Sequence, residues 1–250
     1  MTFAPQFIDR PYGRLLVLMP ESEHFSSKPL ILLLHGAYEK HKKLLPWAAL
    51  WQADYDVALI DLPGHGQSDA PAPVALEAYI DELRWIVASH FGKRRVVIVG
   101  DSFGGLLGVA LGNDPPANLV GVVSMDSLLS TAKQWSIQDL LPKVLDGQPE
   151  GSFRRQFATN VMGMGGEETE DRSYRFYVEG VRVPVLMLTG DIALGERRDV
   201  AWPSLLDEED REFLRARSRL AVISGVGHQL VVQKPQETLA AAQAFVGELV

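Results

Sequence analysis

The chain contains no cysteine among its 250 residues, and this absence excludes disulfide bridges, thiolate catalysis and cysteine-based metal sites. It also lacks an apolar run of the roughly 20 residues needed to cross a bilayer. The first residues, Met1 to Gly13, lack the apolar segment of a secretory signal peptide. These three absences lead us to expect a cytoplasmic protein that has no membrane partner.

Basic residues are in the minority, with 24 Lys and Arg against 32 Asp and Glu, which gives a formal net charge of −8. A surface of this sign repels the phosphates of nucleic acids and of anionic lipids, so we expect neither as a partner. No two of the 6 histidines have metal-ligand spacing on a predicted helix. The sequence therefore indicates no metal and no other cofactor.

Short apolar segments alternate along the chain with longer amphipathic ones. Seven segments read as strands: Leu15 to Met19, Leu30 to Leu34, Val57 to Ile60, Val96 to Val99, Leu119 to Met125, Val185 to Thr189 and Leu220 to Ser224. Five segments between or after them read as helices: Lys42 to Trp51, Ala75 to Phe91, Phe103 to Leu111, Glu208 to Arg217 and Pro235 to Leu249. The alternation predicts an α/β fold with a mostly parallel central sheet and helices on both faces.

One interval, between the strands ending at Met125 and beginning at Val185, is too long for an ordinary loop. It contains two helical patterns, Ile137 to Leu145 and Phe153 to Met162, and a glycine-rich acidic stretch. A disordered surface segment and a helical insertion are the two alternatives, and the apolar content of the helical pieces favours the insertion. We therefore predict a core formed by residues 1–126 and 183–250 and a helical cap formed by residues 127–182.

The sequence Gly100-Asp101-Ser102-Phe103-Gly104 follows a buried strand and precedes a helix rich in small residues. This G-x-S-x-G pattern is typical of a nucleophile elbow, a sharp turn that presents its serine hydroxyl at the tip. An ordinary strand-to-helix turn is the alternative. A serine needs an adjacent base to act as a nucleophile, and His228, which follows the last predicted strand, is the candidate. Phe103 begins the helix, so its backbone N–H is a candidate oxyanion donor.

Four further features accompany the elbow. They are His35-Gly36-Ala37 after a buried strand, the loop Asp61-Leu62-Pro63-Gly64-His65-Gly66-Gln67-Ser68, the long insertion, and Gly225-Val226-Gly227-His228 after the last strand. In this order they resemble the serine-nucleophile branch of the α/β-hydrolase superfamily over nearly the whole chain. The resemblance implies the α/β-hydrolase fold with a helical cap, Ser102 as nucleophile, His228 as general base, and Ala37 as the second oxyanion donor beside Phe103.

The acid of the expected triad departs from the family pattern. Members usually carry it in a G-x-x-D sequence after the strand that here is Val185 to Thr189, but that position holds Ala193. Asp126 ends the preceding strand, Asp191 lies on the same loop as Ala193, and Asp199 is a more distant third candidate. Either Asp126 or Asp191 can orient His228 if its carboxylate reaches the imidazole Nδ1–H. We favour Asp126 over Asp191.

The serine at the elbow argues against the chemistry of the haloalkane dehalogenases and epoxide hydrolases, relatives that carry an aspartate there. We expect a carboxylesterase or thioesterase that cleaves a small acyl substrate through an acyl-enzyme. A lyase or C–C hydrolase using the same triad, and a receptor-like protein that binds without turnover, are the alternatives. A substrate carboxylate could pair with a cap arginine, although solvated side chains are the more common state of the arginines here: Arg154, Arg155, Arg172, Arg175 and Arg182.

Overall fold

The computed structural model describes residues 3–20, 29–166, 168–195 and 202–249. Eight strands form one sheet in the order β1-β2-β4-β3-β5-β6-β7-β8. Their bounds are β1 Phe3–Arg10, β2 Gly13–Pro20, β3 Leu30–Leu34, β4 Asp56–Ile60, β5 Val96–Asp101, β6 Leu119–Met125, β7 Val185–Gly190 and β8 Arg219–Ile223. From β4 to β8 neighbouring strands run parallel, whereas β1 and β2 are antiparallel additions at one edge.

Helices cover both faces of the sheet, as the alternation of the sequence predicted. In the described residues they are α1 Leu45–Trp51, α2 Leu76–Trp85, α3 Phe103–Leu111, α4 Trp135–Leu145, α5 Phe153–Gln156, α6 Arg175–Gly180, α7 Glu208–Arg217, α8 Leu230–Gln233 and α9 Pro235–Leu249. Side chains of α2 and α3 belong to the core on one face, and those of α1 and α9 to the core on the other. Because both faces are covered, β3 is an unbroken apolar run with every residue buried.

The structure differs from the sequence prediction at several element ends. The first predicted helix divides into a 3-10 turn, His41–Lys43, and α1, where Pro46 lies in the first turn, the position that tolerates a missing N–H. The second ends at Trp85 and continues as a wider π-helical turn, Ile86–His90. Strand β1 was not predicted, because half of its residues are exposed and it contains Pro5, which strands accept at a sheet edge.

The described residues between β6 and β7 form helices and no strand. Helix α4 is followed by α5, by a π-helical turn, Phe157–Val161, and by α6. The ring of Phe157 is fully buried, with centroids 5.0 Å from His65 and 5.1 Å from Phe103. This helical segment therefore packs over the carboxyl edge of the sheet, and its treatment as a separate cap of residues 127–182 stays a prediction.

The carboxyl ends of the parallel strands meet at one edge, because parallel strands all point the same way. His35 follows β3, Ser102 follows β5, Asp126 follows β6, and Asp191 follows β7. The loop after β8 adds His228. The predicted site residues thus collect at the edge where open α/β sheets bind their ligands.

Candidate active site

Ser102 occupies a strained turn between β5 and α3. Its backbone has φ 52° and ψ −112°, a left-handed conformation that a residue other than glycine rarely adopts. The turn is tight enough to require glycine on both sides. A Cβ on Gly100 would lie 2.3 Å from the backbone of Gly104, and one on Gly104 would lie 2.6 Å from Leu34. The local sequence therefore builds the elbow that the G-x-S-x-G pattern predicts.

His228 lies on the loop after β8 and lines the same cavity as Ser102. Its backbone N–H donates to the carbonyl of Trp202 at 3.1 Å. A Cβ on the preceding Gly227 would lie 2.1 Å from that same carbonyl, so only glycine permits this approach. The imidazole Nδ1 lies 2.8 Å from Oδ2 of Asp126. Because Nδ1 donates to this carboxylate, Nε2 of the neutral ring is left as an acceptor.

Asp126 is a buried carboxylate that accepts hydrogen bonds from several directions. Its Oδ1 accepts from the hydroxyls of Thr189, at 2.8 Å, and Ser204, at 2.5 Å. Its Oδ2 accepts from the N–H of Leu205 at 2.9 Å as well as from His228. These donors come from β7 and from the segment before α7, and they fix the orientation of the carboxylate toward the imidazole.

Asp191, the other main candidate for the acid, occupies a different place. Its exposed carboxylate accepts from the Ser224 hydroxyl at 2.8 Å and from the N–H groups of Gly225, at 2.8 Å, and Val226, at 3.3 Å. The Ser224 hydrogen bond, followed by the two backbone bonds, lowers the pKa of Asp191. Asp191 therefore braces the loop that leads to His228 and does not contact the imidazole. Asp199 lies outside the described residues.

The pKa of His228 is set by opposing effects. Burial lowers this pKa, but the hydrogen bond and the negative charge of Asp126, with a smaller contribution from Asp101, outweigh burial. Lys43 acts weakly in the opposite direction. The net result is a pKa above the ordinary value of histidine, so the imidazole is a stronger base than a histidine in water.

The two predicted oxyanion donors are the backbone N–H groups of Ala37 and Phe103. No described residue accepts a hydrogen bond from the N–H of Ala37 or of Phe103. His35 fixes the first of them indirectly. Its Nε2 accepts from the N–H of Leu62 at 3.0 Å, so its Nδ1 carries the proton and donates to the Gly36 carbonyl at 2.8 Å. In a trans peptide the carbonyl and the next N–H point in opposite directions, so this bond aims the Ala37 N–H away from His35.

His35 keeps this role because it stays neutral. Burial, reinforced by the nearby His65, lowers the pKa of His35 to about 3. Burial also lowers the pKa of His65 to about 4, and its Nδ1 lies 3.0 Å from the carbonyl of Pro63. Both histidines are therefore structural parts of the loops that surround the site.

A cavity of about 240 Å³ adjoins Ser102 and His228. Its apolar wall is formed by Ile137, Leu140, Leu141, Val144, Met162 and Leu205. Among the described residues that line it, Glu39 is the one carboxylate and no arginine or lysine is present. The cavity therefore suits an uncharged, apolar group next to the serine.

In the part of the chain that the structure describes, the arginines of the predicted cap do not line this cavity. Arg155 donates to backbone carbonyls of the helical segment between β6 and β7, and Arg172 donates to Glu170 and to carbonyls of the same segment. Arg175 pairs with Glu209 and Asp210. Arg154 lies over the ring of Tyr38, 5.9 Å from its centroid. These contacts support a structural role for the four side chains and weaken the hypothesis that a cap arginine binds a substrate carboxylate.

The structure brings to the site several residues that were not candidates from the sequence. Thr189 and Ser204 hold Asp126, and Glu39 lines the cavity while pairing with Lys43. The spacing of Glu39 and Lys43, four positions apart with opposite charges, is the one signal that the sequence offered. Nothing local marks Thr189 or Ser204, which reach Asp126 only through the fold.

Neither a membrane helix nor a metal site is found in the part of the chain that the structure describes. Its helices are too short or too polar to cross a bilayer. Its His, Asp and Glu side chains form no group of three or more able to hold a metal ion.

The family follows from comparison with known proteins. The model of the alpha/beta hydrolase family matches residues 31–242, most of the chain. The chain therefore belongs to the α/β-hydrolase family, as its motifs predicted.

The carboxylesterase CesB of Bacillus subtilis has a similar fold, with a TM-score of 0.73, 14% identity, and coverage of 100% of this chain and 93% of that one. E-2-(acetamidomethylene)succinate hydrolase gives a TM-score of 0.74, 18% identity, and coverage of 98% and 100%.

Curated relatives resemble parts of the chain. Haloalkane dehalogenase of Psychrobacter cryohalolentis is 29% identical over 192 residues, which cover 70% of this chain and 62% of the relative. Lipase LipV of Mycobacterium tuberculosis is 31% identical over 96 residues, 38% of this chain and 36% of the lipase. Mouse epoxide hydrolase 4 is 35% identical over 83 residues, 32% of this chain and 23% of the relative. The matches span less than two thirds of the length of each of these relatives.

Proposed function

We propose that this α/β-hydrolase is a serine hydrolase that cleaves small, uncharged carboxylic esters or thioesters. One observation carries the proposal. The Asp126 carboxylate holds Nδ1 of His228 at 2.8 Å, and His228 shares its cavity with Ser102, which occupies a strained elbow. This is the arrangement by which a base with a free Nε2 activates a serine hydroxyl.

The proposed reaction has an acylation half and a deacylation half, and His228 transfers protons in both. The Ser102 Oγ attacks the substrate carbonyl carbon while His228 Nε2 takes the hydroxyl proton. The N–H groups of Ala37 and Phe103 bind the resulting oxyanion. The carbonyl re-forms, the bond to the leaving oxygen or sulfur breaks, and His228 donates its proton to the leaving group. Water then attacks the acyl-enzyme with His228 again as base, which releases the carboxylic acid and restores Ser102.

Two observations support an acyl substrate of low polarity. The cavity wall is apolar and, among its described residues, carries no cation that could pair with a substrate carboxylate. Glu39 at the cavity would repel such a carboxylate. Similarity to a lipase agrees with this chemistry, and the serine at position 102 favours acyl transfer over the reactions named for the dehalogenase and epoxide hydrolase relatives.

The proposal is tested with p-nitrophenyl esters from acetate to laurate, the half-ester p-nitrophenyl succinate, and matched acyl-CoA thioesters. We expect turnover of the neutral esters, a much lower kcat/KM for the succinate half-ester, and loss of activity in Ser102→Ala. Absence of turnover for every ester and thioester by the folded protein would contradict the proposal. Equal activity of Ser102→Ala and the parent would contradict it as well.

The receptor-like alternative predicts binding without turnover. Its support came from Ala193, which stands where the family usually has its acid. The contact between Asp126 and His228 weakens that support, because a carboxylate is supplied from a neighbouring strand. Tight binding of an ester that is recovered intact after long incubation would favour the receptor.

A further inference from the structure

Three charged side chains, those of Glu39, Lys43 and Asp101, form a network next to the elbow. The Lys43 ammonium donates to Oε1 of Glu39 at 2.7 Å and to Oδ2 of Asp101 at 2.7 Å. The side chain of Asp101 is 1% exposed and that of Lys43 is 17% exposed. The Glu39 side chain is 31% exposed, so Asp101 is the buried member of the network. Pairing a buried carboxylate with a cation requires close geometry to offset the cost of desolvation.

Each carboxylate of the network is attached to one of the two segments that carry the candidate oxyanion donors. The second oxygen of Glu39, Oε2, accepts from the N–H of Gly36 at 3.1 Å, and Gly36 immediately precedes Ala37. Asp101 is the last residue of β5, immediately before Ser102 and Phe103. The Lys43 ammonium therefore connects the Ala37 segment to the Phe103 segment through one side chain on each.

We propose that Glu39, Lys43 and Asp101 form a positioning network that sets the spacing between the Ala37 and Phe103 N–H groups. The inference rests on the proposed function, because it concerns the oxyanion of that reaction. Lys43 does not line the described cavity, so it acts through its two partners and not on the substrate. An oxyanion hole stabilises the transition state only when both donors lie about 3 Å from the developing charge, so their mutual distance matters.

The charge balance of the network supports this reading. Burial lowers the pKa of Lys43, but Asp101 and Glu39 outweigh it and keep the ammonium protonated. Burial and the charge of Asp101 raise the pKa of Glu39, and Lys43 opposes both. Without the ammonium, two carboxylates would face each other at close range, so Glu39 would take up a proton or turn away and release Gly36.

The test compares Lys43→Met with Lys42→Met. Lys42 neighbours Lys43 on the same 3-10 turn but is exposed, which makes it a matched control. We expect Lys43→Met to lower kcat for a neutral ester about 10²-fold, the loss typical of one oxyanion donor, with KM nearly unchanged. Affinity for a trifluoromethyl ketone, which forms a tetrahedral oxyanion on the serine, should fall by a similar factor. Lys42→Met should leave both quantities at the parental values.

Two further variants keep the inference testable if Lys43→Met does not fold. Lys43→Arg retains a cation that can reach both carboxylates and should keep most of kcat. Glu39→Gln retains an acceptor but loses the charge that fixes the ammonium, and should show the same selective loss of kcat and ketone affinity, to a smaller extent. A folded Lys43→Met or Glu39→Gln with parental kcat and ketone affinity would overturn the network, whereas an inactive parent would overturn the proposed function instead.

Discussion

At the scale of single residues, four non-glycine residues of the site have a positive φ in the described chain: Ser102 and Asp126, and also Tyr38 and Trp202, which line the cavity. Ser102 has φ 52° and Asp126 has φ 48°. Such strain costs on the order of 1–3 kcal/mol per residue and persists only where the surroundings enforce it. Here the N–H of Ser102 donates to Met125 and that of Asp126 donates to Leu188, so neighbouring strands hold both turns. The strained positions therefore include the proposed nucleophile and the proposed acid.

The choice of acid is tested by two amide variants. We expect Asp126→Asn to lower kcat by about 10⁴-fold, because an amide no longer holds His228 in the tautomer that leaves Nε2 free. Asp191→Asn should cost far less, since Asp191 bonds the loop and not the ring. Both are measured on one ester at one pH, and the reverse ranking would reassign the acid to Asp191.

The raised pKa of His228 has a consequence for pH dependence. The base must be unprotonated, so kcat/KM should rise with pH through the pKa of His228 and fall away below it. Because Asp126 raises this pKa, the midpoint should lie above about 6.5, the ordinary value. In Asp126→Asn the negative charge of Asp126 is lost, while burial still lowers the pKa of His228. The midpoint of the residual activity should therefore move to lower pH. A midpoint that rises in the variant would contradict this assignment.

At the scale of elements, helix α4 contributes the main wall of the cavity. Ile137, Leu140, Leu141 and Val144 line it, and their spacing places them on one face of a helix. Leu141 also lines a second cavity of about 480 Å³, and among the described residues it is the one side chain shared by both. The helix therefore separates the cavity beside Ser102 from the second cavity.

Leu141→Ala should extend the range of acyl chains that the enzyme accepts. Removing the side chain joins the two cavities, so kcat/KM should rise for longer p-nitrophenyl esters relative to the acetate. Two matched controls are available, because Leu140 lines only the first cavity and Leu145 only the second. Leu145→Ala should leave the preference unchanged, and Leu140→Ala should widen the site without the shift to the longest chains. An unchanged chain-length profile in Leu141→Ala would show that Leu141 is not the barrier.

At the scale of the whole molecule, the fold was largely predictable because both faces of the sheet are covered. Continuous apolar runs such as Leu30–Leu34 identify buried parallel strands without any knowledge of their neighbours. The exposed edge strand Phe3–Arg10 gave no such signal. The elbow and His228 were marked by local glycines. The pairing of Asp126 with His228, 102 positions apart, depends on strand order and loop geometry that no local pattern encodes.

The division into core and cap is tested by amide hydrogen exchange. Strands β3, β5 and β6 lie at the centre of the sheet with covered faces, so their amides should exchange most slowly. If residues 127–182 form a separate cap, their helices should exchange earlier and as a group. Exchange of that segment at the same rate as the central strands would contradict the two-part organisation.

The most direct test of the central claim is the covalent labelling of Ser102. A fluorophosphonate transfers its phosphonyl group to an activated serine, and peptide mass mapping identifies the modified residue. We expect one adduct, on the peptide that contains Ser102, with no adduct in Ser102→Ala and greatly slowed labelling in His228→Ala. A folded parent protein that remains unlabelled, or an adduct that persists in Ser102→Ala, would contradict it.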